Sequence, residues 1–357
     1  MNIKINRAFS GNLTSFLFLV VLFNFSCSKT ITLHRLAPAE ISIPPHINRI
    51  VLVDRTEPEN RNISIIQGIL TGETPFEVRN AVEATMTEVQ QSLNNSPRFE
   101  IVRSTERLRG GLFAQTMPEP LPWQLVEDIC KRFDADAVLT LERFSSDFVI
   151  TDKKKIIKKS VGTGSEARTI EVEGVYVEGI ASLSAGFRMY DPTTGSLVDQ
   201  QEYNKTNLWS AEAETRLQAL ALLVDKTRAT QTVGIMAGSN YARRISPTPI
   251  TLSRTMYYTP KSNTALRTGS RLGEVGKWEE AMKVWEAAIP SASRKAAGRL
   301  CYNMALGKEI FGELDEAREW AGKAYTYYNL REGLNYSNTL LRRIRQEEYL
   351  RQQLAID

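Results

Sequence analysis

Residues 276–288, GKWEEAMKVWEAA, and residues 312–324, GELDEAREWAGKA, write one pattern twice. Gly276 falls opposite Gly312, Glu280 opposite Glu316, Ala281 opposite Ala317 and Ala288 opposite Ala324, an offset of 36 residues. Upstream, Gly269 falls opposite Ala305. A pattern that recurs at such a period describes a supersecondary unit that buries its apolar face only by stacking on its neighbours. Two copies leave ends to cover, since about three are needed for a continuous core. The arginine-rich stretch from about Asn335 to Leu354, with Leu340, Ile344 and Leu354 on one side, is expected to be a capping helix.

This pattern resembles tetratricopeptide repeats, whose period is about 34 residues. The resemblance implies close helix contact at the small residues, with larger ones, here Trp285, filling the gaps, and an inner face that binds peptide segments or partner proteins. On the first helix of each pair it makes Asn263, Ser270, Arg299, Tyr302, Leu306 and Glu309 the candidate contact residues. The competing reading is that the two repeats only brace the preceding domain.

Upstream of residue 261 the hydrophobic period changes. Arg49 to Asp54 is a short, nearly all-apolar run, as in a strand buried on both faces. Val78, Val82, Met86, Val89 and Leu93 then recur at helical spacing, with Thr74 as a candidate N-cap and Pro75 suited to the first turn. Arg98 to Arg103 reads as a second strand. Trp123, Val126, Ile129 and Phe133 mark a second helix from near Pro120, and Ala137 to Phe144 a third strand. Strand, helix, strand, helix, strand predicts an α/β layer with partly parallel strands. Thr169 to Tyr190 alternates with period two, and Tyr190-Asp191-Pro192-Thr193-Thr194-Gly195 is a turn signal before a strand from Leu197 to Tyr203. These predict antiparallel strands beside the first three. A long helix is expected from about Ala211 to Arg244, with Ser210 as its N-cap and Pro247 and Pro249 beyond its end. The fold class expected is α+β, an α/β layer with a mixed sheet, followed by an all-α helical-repeat domain. The boundaries are a mixed α/β domain at 48–245, a connector at 246–260 and the repeats at 261–357.

Between the two strand groups, Asp152 to Ser160 carries Lys153, Lys154, Lys155, Lys158 and Lys159. A solvated hairpin arm accounts for such a run; anionic headgroups, nucleic acid or an acidic partner are the alternatives.

At the N-terminus, Lys4 and Arg7 precede the apolar run Phe16 to Phe23, which is shorter than the about 20 residues a spanning helix needs. It reads as an export signal over residues 1–26. Ser26 directly before Cys27 resembles a lipoprotein cleavage site, which implies acylation of Cys27 and a lipid bilayer as the first partner. An ordinary secretory signal cut nearby, with Cys27 incidental, is the other reading. Residues 27–47, with Pro38, Pro44 and Pro45, read as an extended tether. No acidic cluster follows Cys27, which favours an outer-membrane position facing the periplasm.

The formal net charge is +4, falling to roughly +2 without Lys4 and Arg7. That is too close to neutral for nucleic acid. Cys27, Cys130 and Cys301 match no metal-ligand spacing; the last two could pair or stay as buried thiols. Both histidines, His34 and His46, fall in the expected tether, and no nucleophile elbow, zinc-helix or phosphate-loop motif occurs. Asp134 and Asp136 form the nearest carboxylate pair, in a turn where such residues serve the backbone. No catalytic residue, metal site or cofactor is therefore expected.

The strand Arg49 to Asp54, the segment Ser96-Pro97-Arg98-Phe99-Glu100-Ile101-Val102, the entry Ala135-Asp136-Ala137-Val138-Leu139 and the turn Asp191 to Gly195 together resemble the amino-terminal domains of TolB and of the curli secretion-channel lipoprotein. The whole arrangement is similar to Bacteroidetes-type envelope lipoproteins with no assigned activity. The resemblance implies a non-catalytic lipoprotein that binds or scaffolds another envelope protein, and it leaves the oligomeric state open. The alternative is a small-molecule or glycan-binding lipoprotein using a pocket in the α/β domain.

Overall fold

The computed structural model describes residues 28–58, 75–164, 167–258 and 263–354; Cys27 and Thr74, and with them the acylation and N-cap expectations, lie outside the described residues. In chain order the elements are β1 (Ser28–Ala37), β2 (Arg49–Pro58), α1 (Pro75–Asn94), β3 (Glu100–Leu112), α2 (Trp123–Phe133), β4 (Ala137–Val161), β5 (Arg168–Asp191) and β6 (Ser196–Ala213). They continue with α3 (Arg216–Leu222), α4 (Lys226–Ile245), β7 (Thr248–Tyr257), α5 (Thr264–Glu274), α6 (Trp278–Ala288), α7 (Arg294–Ile310), α8 (Leu314–Thr326) and α9 (Arg331–Leu354). The described residues divide into two compact units, a sheet unit drawn from 36–250 and 347–354 and a helical unit drawn from 28–35 and 251–346. The mixed sheet followed by helices is the α+β architecture expected.

In the sheet unit β2 runs parallel to β3, with Ile50 beside Ile101, and parallel to β4, with Leu52 beside Leu139. β5 is antiparallel to β4 and β6 antiparallel to β5. Successive side chains of β2 point to opposite faces. Ile50 and Leu52 therefore enter the core under Val78, Val82, Met86 and Val89 of α1 and Val233, Ala237 and Tyr241 of α4. Val51 and Val53 join Val126, Ile129 and Cys130 of α2 on the other face. That double burial is the physical reason for the unbroken apolar run.

Three expectations are corrected. Residues 28–47 are no tether, because Ser28–Ala37 is a strand paired with β7, and Ala39, Ile43 and Ile47 are buried. The partner strand lies more than two hundred residues downstream, so no local pattern announces it. The connector assigned to 246–260 is largely that strand, β7. The long helix from Ala211 is also absent. β6 continues to Ala213, and Ser210 lies opposite Glu178 in the ladder instead of capping a helix. Ladder bonds to β5 outweigh helix propensity there, and the helix forms later in two pieces. Thr215 caps α3 in a reciprocal capping box with Gln218, and Asp225 caps α4 by accepting from the Arg228 amide.

Candidate functional site: the groove of the helical unit

The helical unit is two helix pairs, α5–α6 and α7–α8, followed by α9 up to residue 346. Both pairs turn at a glycine in the left-handed region, Gly276 at φ +79° and Gly312 at φ +80°, which explains why glycine recurs there. At Gly269 a β-carbon would come within 2.1 Å of Trp285 Nε1, so the small residue is what lets the fully buried indole lie against α5.

The groove expected for a partner is filled by the chain itself. Residues 28–35 of β1 and 251–257 of β7 form a two-stranded ribbon clamped to the helices. Asn303 reads the β7 backbone in both directions, its Oδ1 accepting from the Tyr257 amide and its Nδ2 donating to the Tyr257 carbonyl, each at 2.8 Å. Arg254 donates to both oxygens of Glu309, at 2.7 and 2.8 Å, and Tyr336 Oη donates to the same carboxylate at 2.6 Å. Arg35 donates to the carbonyls of Glu309 and Ile310 at 2.7 and 2.9 Å. Met256 is wholly buried among Leu300, Met304 and Leu340.

The six predicted contact residues belong to this closed arrangement. Asn263 is the N-cap of α5, accepting from the Leu266 amide at 2.9 Å. Ser270 is buried and donates to the Arg267 carbonyl. Tyr302, Leu306 and Glu309 are buried too, and Arg299 covers the Tyr257 ring at 5.1 Å. Ser270, Tyr302, Leu306 and Glu309 thus lie in an interior to which the ribbon supplies apolar and polar partners, while Asn263 and Arg299 are half-buried at its edge. Burial opposes the charge on Arg254, but the hydrogen bonds and attraction of Glu309 outweigh it and raise its pKa. Tyr336 is pushed well above the usual phenol range by burial first and the Glu309 charge second. Arg254 therefore stays charged and Tyr336 stays protonated near neutral pH, so both remain donors to Glu309.

Sequence reasoning also missed the fully buried carboxylate of the sheet unit. Glu142, with no exposed surface, sits at a register shift of β4. Its Oε2 pairs with Arg55 Nη1 at 2.6 Å and lies 3.7 Å from Arg188 Nη1. Its Oε1 accepts from Tyr190 Oη at 2.6 Å and Thr140 Oγ1 at 2.7 Å. The same groups hold the crossing loop after β3. Arg55 donates to the Glu119 carbonyl, Arg188 to the Pro118 carbonyl, and the Leu121 amide to Tyr190 Oη. Burial, then the Glu142 charge, raises the Tyr190 phenol to about 12. The signal was present: a Glu-Arg pair inside an apolar strand needs buried partners.

Other candidates stand as follows. Asp134 ends α2 in a left-handed conformation, and Asp136 Oδ2 accepts from the Asn48 and Arg49 amides at 2.8 Å each, so both serve the backbone. Cys130 and Cys301 are free, buried thiols in different units, each raised to about 11 chiefly by burial. The lysine run lies on the β4–β5 hairpin, where Lys155 pairs with Glu212 and Lys159 with Glu214. A cavity of about 400 Å³ in the sheet unit is lined by Ile43, Pro44, Pro45, Asn48 and Arg98, among others. Arg98 donates to Asn48 Oδ1 and the Pro44 carbonyl, with no carboxylate paired to it among the described residues, and burial lowers its pKa.

These features define a mixed-sheet α+β protein with appended helix pairs. The chain belongs to the family described as Domain of unknown function (DUF8603), whose model matches residues 47–257. Residues 267–352 match a second model, Domain of unknown function (DUF6340). None of the curated proteins matches. Among solved structures the chain is similar to a PelC dodecamer from Paraburkholderia phytofirmans, 10% identical with a TM-score of 0.27, over 60% of this chain and 100% of that one. It is similar to a hemagglutinin homolog from Helicobacter pylori, 11% identical with a TM-score of 0.27, over 57% and 86%. TolB from Acinetobacter baumannii is 11% identical with a TM-score of 0.20, over 60% and 31%. None of these likenesses assigns an activity.

Proposed function

We propose that the protein is a non-catalytic lipoprotein, acylated at Cys27, facing the periplasm from the outer membrane and holding another envelope protein. The observation that carries this reading is the charged and short apolar N-terminal segment ending in Ser26-Cys27. The helix pairs, with their 36-residue offset and glycine turns, support a tetratricopeptide-like scaffold. Because the ribbon already fills the groove, a partner's extended segment would add to a ribbon edge instead of entering between the helices. Palmitate labelling of wild type and Cys27→Ala tests the anchor: label is expected only in wild type, and equal labelling in both sinks the reading. Pull-down from solubilised membranes, with and without residues 261–357, tests the scaffold; it is refuted if neither form recovers a specific partner.

The cavity beside Arg98 supports a second reading, binding of a small carboxylate-bearing molecule or acidic glycan. A thermal-shift screen of such compounds on wild type and Arg98→Ala separates the two, because only this reading predicts a shift that Arg98→Ala abolishes.

A further inference from the structure

In place of a tether of some twenty residues, the structure puts a bound strand directly after Cys27, and this changes what must lie near the membrane. Ser28 begins β1, and β1 is held to the helices from its second residue. Lys29 Nζ pairs with Glu274 Oε1 at 2.5 Å and lies 4.4 Å from the centre of the Tyr258 ring. Ile31 packs on the helical core, and Arg35 is fixed to the Glu309 and Ile310 carbonyls. A lipid on Cys27 is thus two peptide units, at most about 7 Å of backbone, from a residue clamped to the end of α5.

Glu274 opens the turn between α5 and α6, whose next residue, Val275, is 70% exposed. The charges around it are matched: Lys29 with Glu274, and Lys277 with Glu280 at 3.1 Å, leaving Glu279 in the first turn of α6 and Arg271 in the last turn of α5. The turn thus presents one exposed valine in a near-neutral surround, so contact with a bilayer there needs no anionic lipid.

We infer that the α5–α6 turn, Glu274 to Lys277 with Val275 at its tip, rests on the phospholipid surface that carries the anchor. The inference depends on acylation of Cys27. It orients the helical unit, which an extended tether would leave free to turn.

The test uses the full-length acylated protein carrying Val275→Cys, labelled with an environment-sensitive fluorophore and reconstituted in phosphatidylcholine–phosphatidylethanolamine vesicles. Acylation blocks Cys27, and the two remaining thiols are buried, so the label goes to position 275. The expected result is blue-shifted emission that nitroxide lipid quenches and aqueous iodide does not, lost in the Cys27→Ala background. Aqueous emission quenched by iodide, from protein that floats with the vesicles, overturns the inference while the anchor stands. Protein that neither floats nor carries acyl mass overturns the anchor reading and this inference with it.

Discussion

Both units bury a glutamate against arginine and tyrosine, Glu142 in the sheet unit and Glu309 in the helical unit, and the two devices close different kinds of gap. In the sheet unit Glu142 meets Arg55, Arg188 and Tyr190, all on neighbouring strands, and the cluster pins the loop that crosses the sheet face. In the helical unit Glu309 meets Arg254 and Tyr336, and the cluster ties a strand from a distant part of the chain to the helices. The first adds specificity to a core that apolar burial already defines. The second joins segments that nothing local brings together, and a two-stranded ribbon has little stability of its own. The same chemistry thus serves as a pin in one unit and as a clasp in the other.

Removing the two carboxylates tests that contrast. Glu142→Ala leaves Arg55 and Arg188 buried around a lost charge and is expected to cost about 3–5 kcal/mol, the range for breaking a buried pair. Glu309→Ala strands one buried arginine, Arg254, and should fall at the lower end, about 3 kcal/mol. Denaturant unfolding gives the magnitudes, and amide hydrogen exchange gives the location. Glu142→Ala should lower protection in residues 113–122 and β4, and Glu309→Ala in β1 and β7. Uniform loss across both units in either variant would show one cooperative block and dissolve the distinction between pin and clasp.

A smaller effect comes from packing within the helix pairs. Gly269→Ala puts a methyl group where Trp285 Nε1 is 2.1 Å away, and the indole has no exposed surface into which to retreat. Overpacking of this kind is expected to cost about 2–3 kcal/mol. Gly322→Ala, on α8 with no atom within 4 Å of the added carbon, is the control and should be neutral or slightly stabilising. Equal midpoints for the two variants would refute the close helix contact inferred from the repeat.

What could be read in advance follows the range of the interactions. The core strands Arg49 to Asp54 and Ala137 to Phe144, the helix carrying Val78 to Leu93 and the glycine turns at 276 and 312 are set by neighbours within a few residues, and they were legible. β1 and β7 were not, because Lys29, Ile31 and Arg35 reveal nothing until Glu274, Tyr258 and Glu309 lie beside them. The burial of Ser270, Tyr302, Leu306 and Glu309 was hidden for the same reason. Their helical positions follow from periodicity, but whether solvent or the chain itself covers them depends on a strand pairing that spans more than two hundred residues. Local preference also misled at Ser210, a good N-cap by type that the β5–β6 ladder holds in a strand.

Acid should loosen the sheet unit at the turn after β5. Asp191, at the β5–β6 turn, has a side chain 1% exposed, and it accepts from the Thr193 amide, Thr194 Oγ1 and the His46 ring. Burial alone would raise its pKa, but the hydrogen bonds from Thr194, Thr193 and His46 and the His46 charge outweigh burial and hold it below the usual range. A depressed carboxylate contributes stability that is fully present above its unfolded pKa of about 3.9 and is lost as pH falls through the folded value. Asp191→Asn should therefore cost about 1 kcal/mol at pH 7. The gap from wild type should narrow below about pH 4, as protonation removes from wild type what the substitution has already removed. Denaturant midpoints of both proteins from pH 7 down to pH 3 measure the convergence. A gap that stays constant across that range would mean that Asp191 supports its turn by shape alone.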